Sequence, residues 1–197
     1  MSNAPLLKLQ SVNFAKIRAR VEAPPSLAPM LEACDSVPAA LDLLMEQNLM
    51  QESIRLLAHA MPRREGVWWV CMCARHTAPD EAVPADVAAL EAAELWVRRP
   101  SDENRRAAFV RAEEARFGTP EAWACVAAFW SGDSMSPLGQ PAVPPAPHLG
   151  GMAIAGAVAL ASVRLHPGRQ AARLASFVPS AREIAGGGTG RVPLEQV

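Results

Sequence analysis

Prolines that precede long alanine-rich segments constrain the fold of this chain more than any other sequence feature. Pro62, Pro84 and Pro120 each stand at the start of such a segment, and Thr119 and Glu121 add a helix-capping residue and a first-turn acid. Proline is tolerated in the first turn of an α-helix, where its missing N–H has no partner, but it disrupts later turns. The pattern therefore predicts a series of separate helices.

The composition also favours helix over strand. Hydrophobic residues make up 50% of the chain but aromatic residues only 5%, and tyrosine is absent, because alanine supplies much of the apolar content. Alanine is the best helix former, whereas strands favour β-branched and aromatic residues. Apolar periodicity and capping residues predict a helix that starts at Ser36, a short helix through 54–61, and further helices over about 62–78, 84–99, 101–117, 119–131, 148–165 and 167–185.

We therefore predict an all-α fold, a compact single domain of about seven to eight helices packed as stacked helix hairpins, because the connectors between helices are short. Residues 1–35 form an N-terminal arm, residues 36–185 the helical domain, and the glycine-rich residues 186–197 a flexible tail. The segment 132–147 cannot be a regular helix and is expected to cross the helices as an extended, proline-rich strap; its prolines are Pro137, Pro141, Pro144, Pro145 and Pro147.

Two uncharged segments are expected to lie inside this domain. Residues 66–74 carry no charge on any side of their helix, which is typical of a helix central to its fold. Residues 149–163 are also uncharged, but they are too short and too rich in alanine and glycine for a typical membrane-spanning helix. With no recognisable export signal at the N-terminus, the expected location is the cytoplasm, with no membrane partner.

The charge balance and the cysteines exclude several function classes. A net charge of −1 provides no general attraction to nucleic acid, which makes nucleic acid an unlikely partner. Cys71 and Cys73 are two residues apart and so point to opposite sides of a helix, which leaves only Cys73 and His76 on one face. Zinc needs four converging ligands, so we predict no metal, no cofactor and no catalytic residue.

Six residues are candidates for binding a partner protein. Trp68 and Trp69 are adjacent, so they diverge by about 100° on a helix, and one of them is expected to meet a neighbouring helix, a partner or solvent. Arg98, Arg99, Arg105 and Arg106 cluster around one predicted turn and could contact an acidic partner, although a solvated helix face explains them equally simply. Core packing remains the simpler explanation for each tryptophan.

Several short strings resemble those of an uncharacterised proteobacterial family, a domain of unknown function. They are Leu56-Leu57-Ala58-His59-Ala60-Met61-Pro62-Arg63-Arg64-Glu65-Gly66-Val67-Trp68-Trp69, Cys71-Met72-Cys73-Ala74-Arg75, Ala127-Ala128-Phe129-Trp130-Ser131-Gly132 and Pro144-Pro145-Ala146-Pro147-His148-Leu149. The resemblance covers most of residues 36–165. It implies no catalytic residues, and it associates the chain with the accessory proteins of bacterial secretion or signalling systems.

These observations together favour a non-catalytic adaptor or accessory module that binds another protein in a bacterial cytoplasm. One alternative is an enzyme in which Cys34, Cys71, Cys73 or Cys125 meets a histidine such as His59, His76 or His148. A second alternative is arginine-mediated binding of nucleic acid. The sequence leaves the oligomeric state open.

Overall fold

The computed structural model describes residues 5–196, and within this range the chain is helical with no strand. Two short helices, α1 (Phe14–Ile17) and α2 (Ala28–Ala33), are followed by eight longer ones. These are α3 (Val37–Glu46), α4 (Met50–Ala60), α5 (Arg63–His76), α6 (Pro84–Arg98), α7 (Asp102–Glu114), α8 (Pro120–Phe129), α9 (Leu149–Val163) and α10 (Gln170–Ala185). The predicted all-α class is confirmed, and α3–α10 correspond to the eight segments expected from the sequence.

The predicted helix starts are supported by side-chain caps. Ser36, Ser101 and Thr119 each accept a hydrogen bond from the backbone N–H three residues later, at 3.4, 3.1 and 3.4 Å. Such a cap satisfies one of the N–H groups that the first turn of a helix leaves without a partner. Local sequence therefore determines where α3, α7 and α8 begin.

Helix α8 lies at the centre of the domain and packs against α5, α6, α7 and α9. Nine of its ten residues are buried, and the exception is Trp123. Helix α9 also contacts α4 and α5, while α10 covers α4, α5 and α9, and α3 packs on α4. Residues 66–74 of α5 are buried except for Trp68, as their lack of charge predicted.

The N-terminal arm packs on these helices through short helical turns. Leu9, Phe14, Val21 and Leu31 are buried in the same hydrophobic cluster as the main helices. Residues 1–4 of the predicted arm lie outside the described residues. Between residues 5 and 196, no single helix combines the length and apolar character needed to cross a bilayer, and only the pair Leu149–Val163 and Pro167–Ala185, bent by 111°, passes such a test together.

The C-terminal segment packs along the domain, in contrast to the flexible tail that its glycines predicted. The Trp68 indole donates a hydrogen bond to Thr189 O at 2.8 Å, and the Glu195 N–H donates to His76 O at 2.9 Å. Arg173, which is only 2% exposed, donates to the Glu195 carboxylate at 2.6 Å. The prediction missed this arrangement because the anchoring groups lie far away in the sequence. Val197 lies outside the described residues.

Two glycines of α9 provide a test of the helix packing. A Cβ at Gly151 would overlap the His59 ring of α4, whereas a Cβ at Gly156 would meet no atom within 4 Å. We expect Gly151→Ala to lower the free energy of unfolding by about 1–2 kcal/mol, because the histidine ring must shift. Gly156→Ala should raise it by about 0.5 kcal/mol through helix propensity. Urea denaturation of both variants measures the difference, and equal effects would contradict the close packing.

Docking of the C-terminal segment should depend on pH. Hydrogen bonds from Arg173 lower the pKa of Glu195, and the charges of Arg169 and His76 act in the same direction. Above about pH 5.5 an ordinary glutamate is fully ionised, so the ion pair there makes its full contribution to the free energy of docking. This contribution is lost as the pH falls through the lowered pKa of Glu195. We expect protection of the Glu195 amide from hydrogen exchange, corrected for the intrinsic rate, to decrease below about pH 5. In Glu195→Gln, protection should be weaker at pH 7 and should lose this dependence.

Candidate functional site

Six helix ends meet at one end of the domain. The Arg64 side chain at the start of α5 donates to Val97 O near the end of α6 at 2.6 Å. Arg105 near the start of α7 donates to Phe129 O at the end of α8 at 2.7 Å. The His59 ring near the end of α4 packs against Gly151 in the first turn of α9. Helices α4, α6 and α8 thus end where α5, α7 and α9 begin.

This end carries a concentration of cations, which we call the basic end. It contains Arg20, His59, Arg63, Arg64, Arg98, Arg99, Arg105, Arg106 and His148. Arg64, Arg98 and Arg99 are exposed there. Of the exposed arginines, Arg98 lies 3.6 Å from Glu94, while Arg64 and Arg99 have no carboxylate within ion-pair distance among residues 5–196. The carboxylates exposed at this end include Asp102, which pairs with Arg105 and Arg106, and also Glu103 and Asp133.

Several of these cations lie close to the first turn of α9. Arg63 donates to Pro147 O at 2.7 Å, and a Cβ at Gly150 would lie 2.9 Å from its guanidinium. Burial, together with the nearby charges of Arg20, Arg63 and His148, lowers the pKa of His59 to about 4. His59 is therefore neutral at pH 7, and Arg63 provides the local charge.

The structure separates the four predicted arginines into two pairs. Arg98 and Arg99 are exposed, as binding to a partner requires. Arg105 is only 3% exposed, so in this structure it is not available to a partner, in contrast to its prediction as a partner-binding residue. Its guanidinium donates to Phe129 O, to Ser134 O and to Asp102, and it lies 4.9 Å from the centre of the Phe129 ring. Arg105 therefore connects α7, α8 and the loop after α8.

Arg106 has a similar structural contact and is half-buried. It donates to Ser136 O at 2.8 Å and to Asp102 at 2.7 Å. Together with Arg105 it fixes the start of the predicted proline-rich strap. The sequence pattern does not reveal this function, because arginines three and four residues after an aspartate are also typical of a solvated helix face. One residue of the sequence is consistent with a buried Arg105. Position 132 is a glycine, and a Cβ there would overlap the Arg105 guanidinium.

The tip of the proline-rich loop is exposed and holds a defined turn. The Gln140 N–H donates to Pro137 O at 3.2 Å, and Gly139 has a φ of +82°, as a type II turn requires at its third position. Leu138 is 78% exposed at this turn, more than any other large hydrophobic side chain between residues 5 and 196. The Arg105 and Arg106 contacts attach the first residues of this loop to the basic end.

The two predicted tryptophans occupy different environments. Trp69 is fully buried, and its indole donates to Phe177 O of α10 at 3.0 Å. In contrast to its prediction as a partner-binding residue, it is not available to a partner in this structure. Trp68 is half-buried and donates to Thr189 O of the C-terminal segment. The two rings diverge as expected. The neighbour of the Trp68 ring is the C-terminal segment of the same chain.

The cysteines show no sign of activation. Burial raises the pKa of the Cys71 and Cys73 thiols well above the usual range and raises that of Cys125 to about 12. A nucleophilic cysteine needs the opposite shift, towards the thiolate. Cys34 is partly exposed, but its Sγ donates to Met30 O and burial and Asp35 raise its pKa too. Within residues 5–196, no three His, Cys, Asp or Glu side chains are placed to hold a metal ion.

Comparison with known proteins identifies a family for this chain, but that family has no assigned activity. Residues 40–185 match the model of a family described as Family of unknown function (DUF6931). The chain belongs to this family. The predicted resemblance to an uncharacterised family is therefore confirmed and extends beyond residue 165, while its restriction to proteobacteria stays a prediction. No curated protein and no solved structure matches the chain. Membership of DUF6931 assigns no reaction, ligand or partner, so functional proposals depend on the site itself.

The structural function of Arg105 can be tested against an exposed arginine of the same helix. We expect Arg105→Met to lower the free energy of unfolding by about 3 kcal/mol, because two carbonyl groups and Asp102 lose a buried donor. Arg111, whose side chain is half-exposed and pairs with Glu114 at 2.6 Å, is the control. Arg111→Met should cost less than about 0.5 kcal/mol. Urea denaturation measures both changes, and similar small losses would contradict the assignment.

Proposed function

We propose that this member of DUF6931 is a non-catalytic interaction module that binds an acidic surface of another protein through its basic end. The supporting observation is that helix topology places exposed Arg64, Arg98 and Arg99 at the same end of the domain as half-buried Arg63, and that Arg64 and Arg99 have no carboxylate within ion-pair distance among residues 5–196. Arginine binds carboxylates with two parallel hydrogen bonds and is enriched in protein interfaces. Clustered positive charge also accelerates the encounter with an acidic partner.

The position of Arg63 and Arg64 adds weight to this proposal. Both occupy the first turn of α5. A helix N-terminus carries partial positive charge, so cations there are unfavourable by a few tenths of a kcal/mol to about 1 kcal/mol each. Sequences tend to retain such local conflicts where function requires them. Binding of carboxylates would relieve the repulsion at the start of α5.

The exposed loop tip provides the apolar part of the proposed interface. Protein interfaces combine an apolar anchor with a polar rim. Leu138 lies on a turn in a loop whose first residues are held by Arg105 and Arg106. Because the loop is already held in place, Leu138 can enter a pocket of the partner at a small cost in conformational entropy. We propose that the partner contacts Leu138 together with Arg98 and Arg99.

The cellular setting is part of the same proposal. Cys34, Cys71, Cys73 and Cys125 are all unpaired, as is usual in a reducing compartment. We propose a bacterial cytoplasm and, by association with the resembling family, an accessory position in a secretion or signalling system. The raised cysteine pKa values give no support to the Cys/His enzyme alternative.

Charge reversal of the two exposed arginines tests this function. We expect Arg98→Glu/Arg99→Glu to weaken the complex with a partner captured from the host by at least tenfold, equivalent to about 1.4 kcal/mol, because attraction becomes repulsion. Leu138→Ser should weaken it independently. Titration of the purified partner measures each dissociation constant, with added salt expected to weaken binding to the unmodified protein.

Arg111→Glu is the control, since Arg111 is exposed nearer the other end of α7. It should leave the dissociation constant unchanged. A complex that survives the double charge reversal would contradict the proposed surface. A complex with duplex DNA that shows the same arginine dependence would replace the protein partner by nucleic acid.

A further inference from the structure

A groove at the opposite end of the domain combines an apolar wall with carboxylates. It has a volume of about 460 Å³ and lies between the connection from α5 to α6, the first turns of α6 and α8, the end of α9 and the C-terminal segment. Pro79, Val87, Leu90 and Leu194 contribute apolar surface. This volume is within the range of sites that bind small molecules or single side chains of a partner.

The charged lining of this groove carries more unneutralised carboxylate than cation. Of its two arginines, Arg75 donates to both oxygens of Glu94, at 2.6 and 2.9 Å, and Arg164 donates to Glu121 Oε1 at 2.6 Å. Asp86 also lines the groove, and among residues 5–196 its side chain accepts a hydrogen bond only from the Thr119 hydroxyl, a neutral donor, at 2.9 Å. Both cations therefore already have a carboxylate partner, while Asp86 has no cation within ion-pair distance between residues 5 and 196.

Glu91 adds a second carboxylate at the rim. It is exposed, lines the same groove and has no cation within ion-pair distance among the residues that the structure describes. Asp86 and Glu91 are five residues apart on α6, about 140° apart around the helix, yet both line the groove, one at its wall and one at its rim. Because these carboxylates do not converge tightly enough for a metal ion, an organic cation fits their spacing better.

Glu121 supplies an independent indication of an occupant. This residue is only 4% exposed, and its Oε2 is the one buried side-chain nitrogen or oxygen between residues 5 and 196 with no hydrogen-bond partner. Buried polar atoms almost always have a partner, since leaving one without costs free energy. Glu121 lines the groove while its Oε2 is closed to solvent, so a small rotation of the carboxylate would bring this oxygen to a donor bound in the groove.

We propose that this groove binds an alkylguanidinium or alkylammonium group, whose cationic head lies against Glu121 and Asp86 and whose aliphatic stem lies on Val87, Leu90 and Leu194. Such a group provides N–H donors for Glu121 Oε2, neutralises Asp86 and Glu91, and buries its methylene groups on the apolar wall. The same chemistry occurs in a free small amine or guanidine and in an arginine or lysine side chain. The groove is separate from the basic end, so this proposal goes beyond the interaction proposed above.

The test compares n-butylguanidinium and n-butylammonium with n-butylurea, which has nearly the shape of butylguanidinium but no charge. We expect the cations to cause saturable changes in the amide ¹H–¹⁵N resonances of Val87, Leu90 and Leu194. Butylurea should bind at least tenfold more weakly. Equal affinity for butylurea, or no saturable change with either cation, would overturn the proposal.

Variants of the groove locate the site without relying on one buried residue. Glu121→Gln should weaken binding of butylguanidinium at least tenfold. Glu91→Gln changes an exposed side chain, so it should fold normally and weaken binding severalfold. Glu113→Gln, on the exposed face of α7, is the matched control and should bind as the unmodified protein does. Unchanged affinity in both groove variants would overturn the proposal.

The source of the cation can be distinguished with a capped Gly-Arg-Gly peptide. Tighter binding of the peptide than of butylguanidinium supports the proposal with a protein side chain as the occupant, and weaker binding supports it with a free small cation. Arg98→Glu/Arg99→Glu should leave binding in the groove unchanged. Failure of the proposed cation binding in the groove is therefore distinguishable from failure of the proposed partner binding at the basic end.

Discussion

The structure depends on close contact between helices that carry alanine or glycine where they cross. In α8, Ala122, Ala124, Ala127 and Ala128 are all fully buried, and in α9 Gly151 lies directly against a side chain of α4. Small side chains let neighbouring backbones approach, so dispersion contacts form along the whole length of each helix without large core residues. A domain with few aromatic residues can thereby still have a dense interior.

The same packing determines where polar chemistry can occur. Helix α9 has no charged residue, and the only charged residue of α8 is Glu121 in its first turn. A charge in the middle of either helix would be desolvated among alanines and strongly disfavoured. Charged groups are therefore excluded from the middle of α8 and α9, and both the basic end and the groove with Glu121 lie where these two helices begin or end.

Local sequence predicted the helices well because their starts depend on neighbouring residues. Ser36, Ser101 and Thr119 cap the helices that follow them, and these interactions span only three residues. The site was harder to predict, since the burial of Arg105 depends on carbonyl groups 24 and 29 residues further along the chain. The C-terminal segment shows the same limit, because its glycines indicate flexibility while its anchors, Trp68 and Arg173, are distant in sequence.

Exposure separates arginines that support the fold from arginines that are available to a partner. Arg105 and Arg173 are buried and use their donors on backbone carbonyls and carboxylates of the same chain, so an external ligand would have to break those bonds. Arg98 and Arg99 are exposed at the end of α6, where their charge also complements the helix dipole. Helix stabilisation alone can explain those two. It does not explain Arg63 and Arg64 at the start of α5, where the dipole opposes them. Their hydrogen bonds to Pro147 O and Val97 O offset part of this conflict, and Arg64 is still exposed to a partner, so exposure rather than the conflict itself is the reason to assign the basic end a binding function.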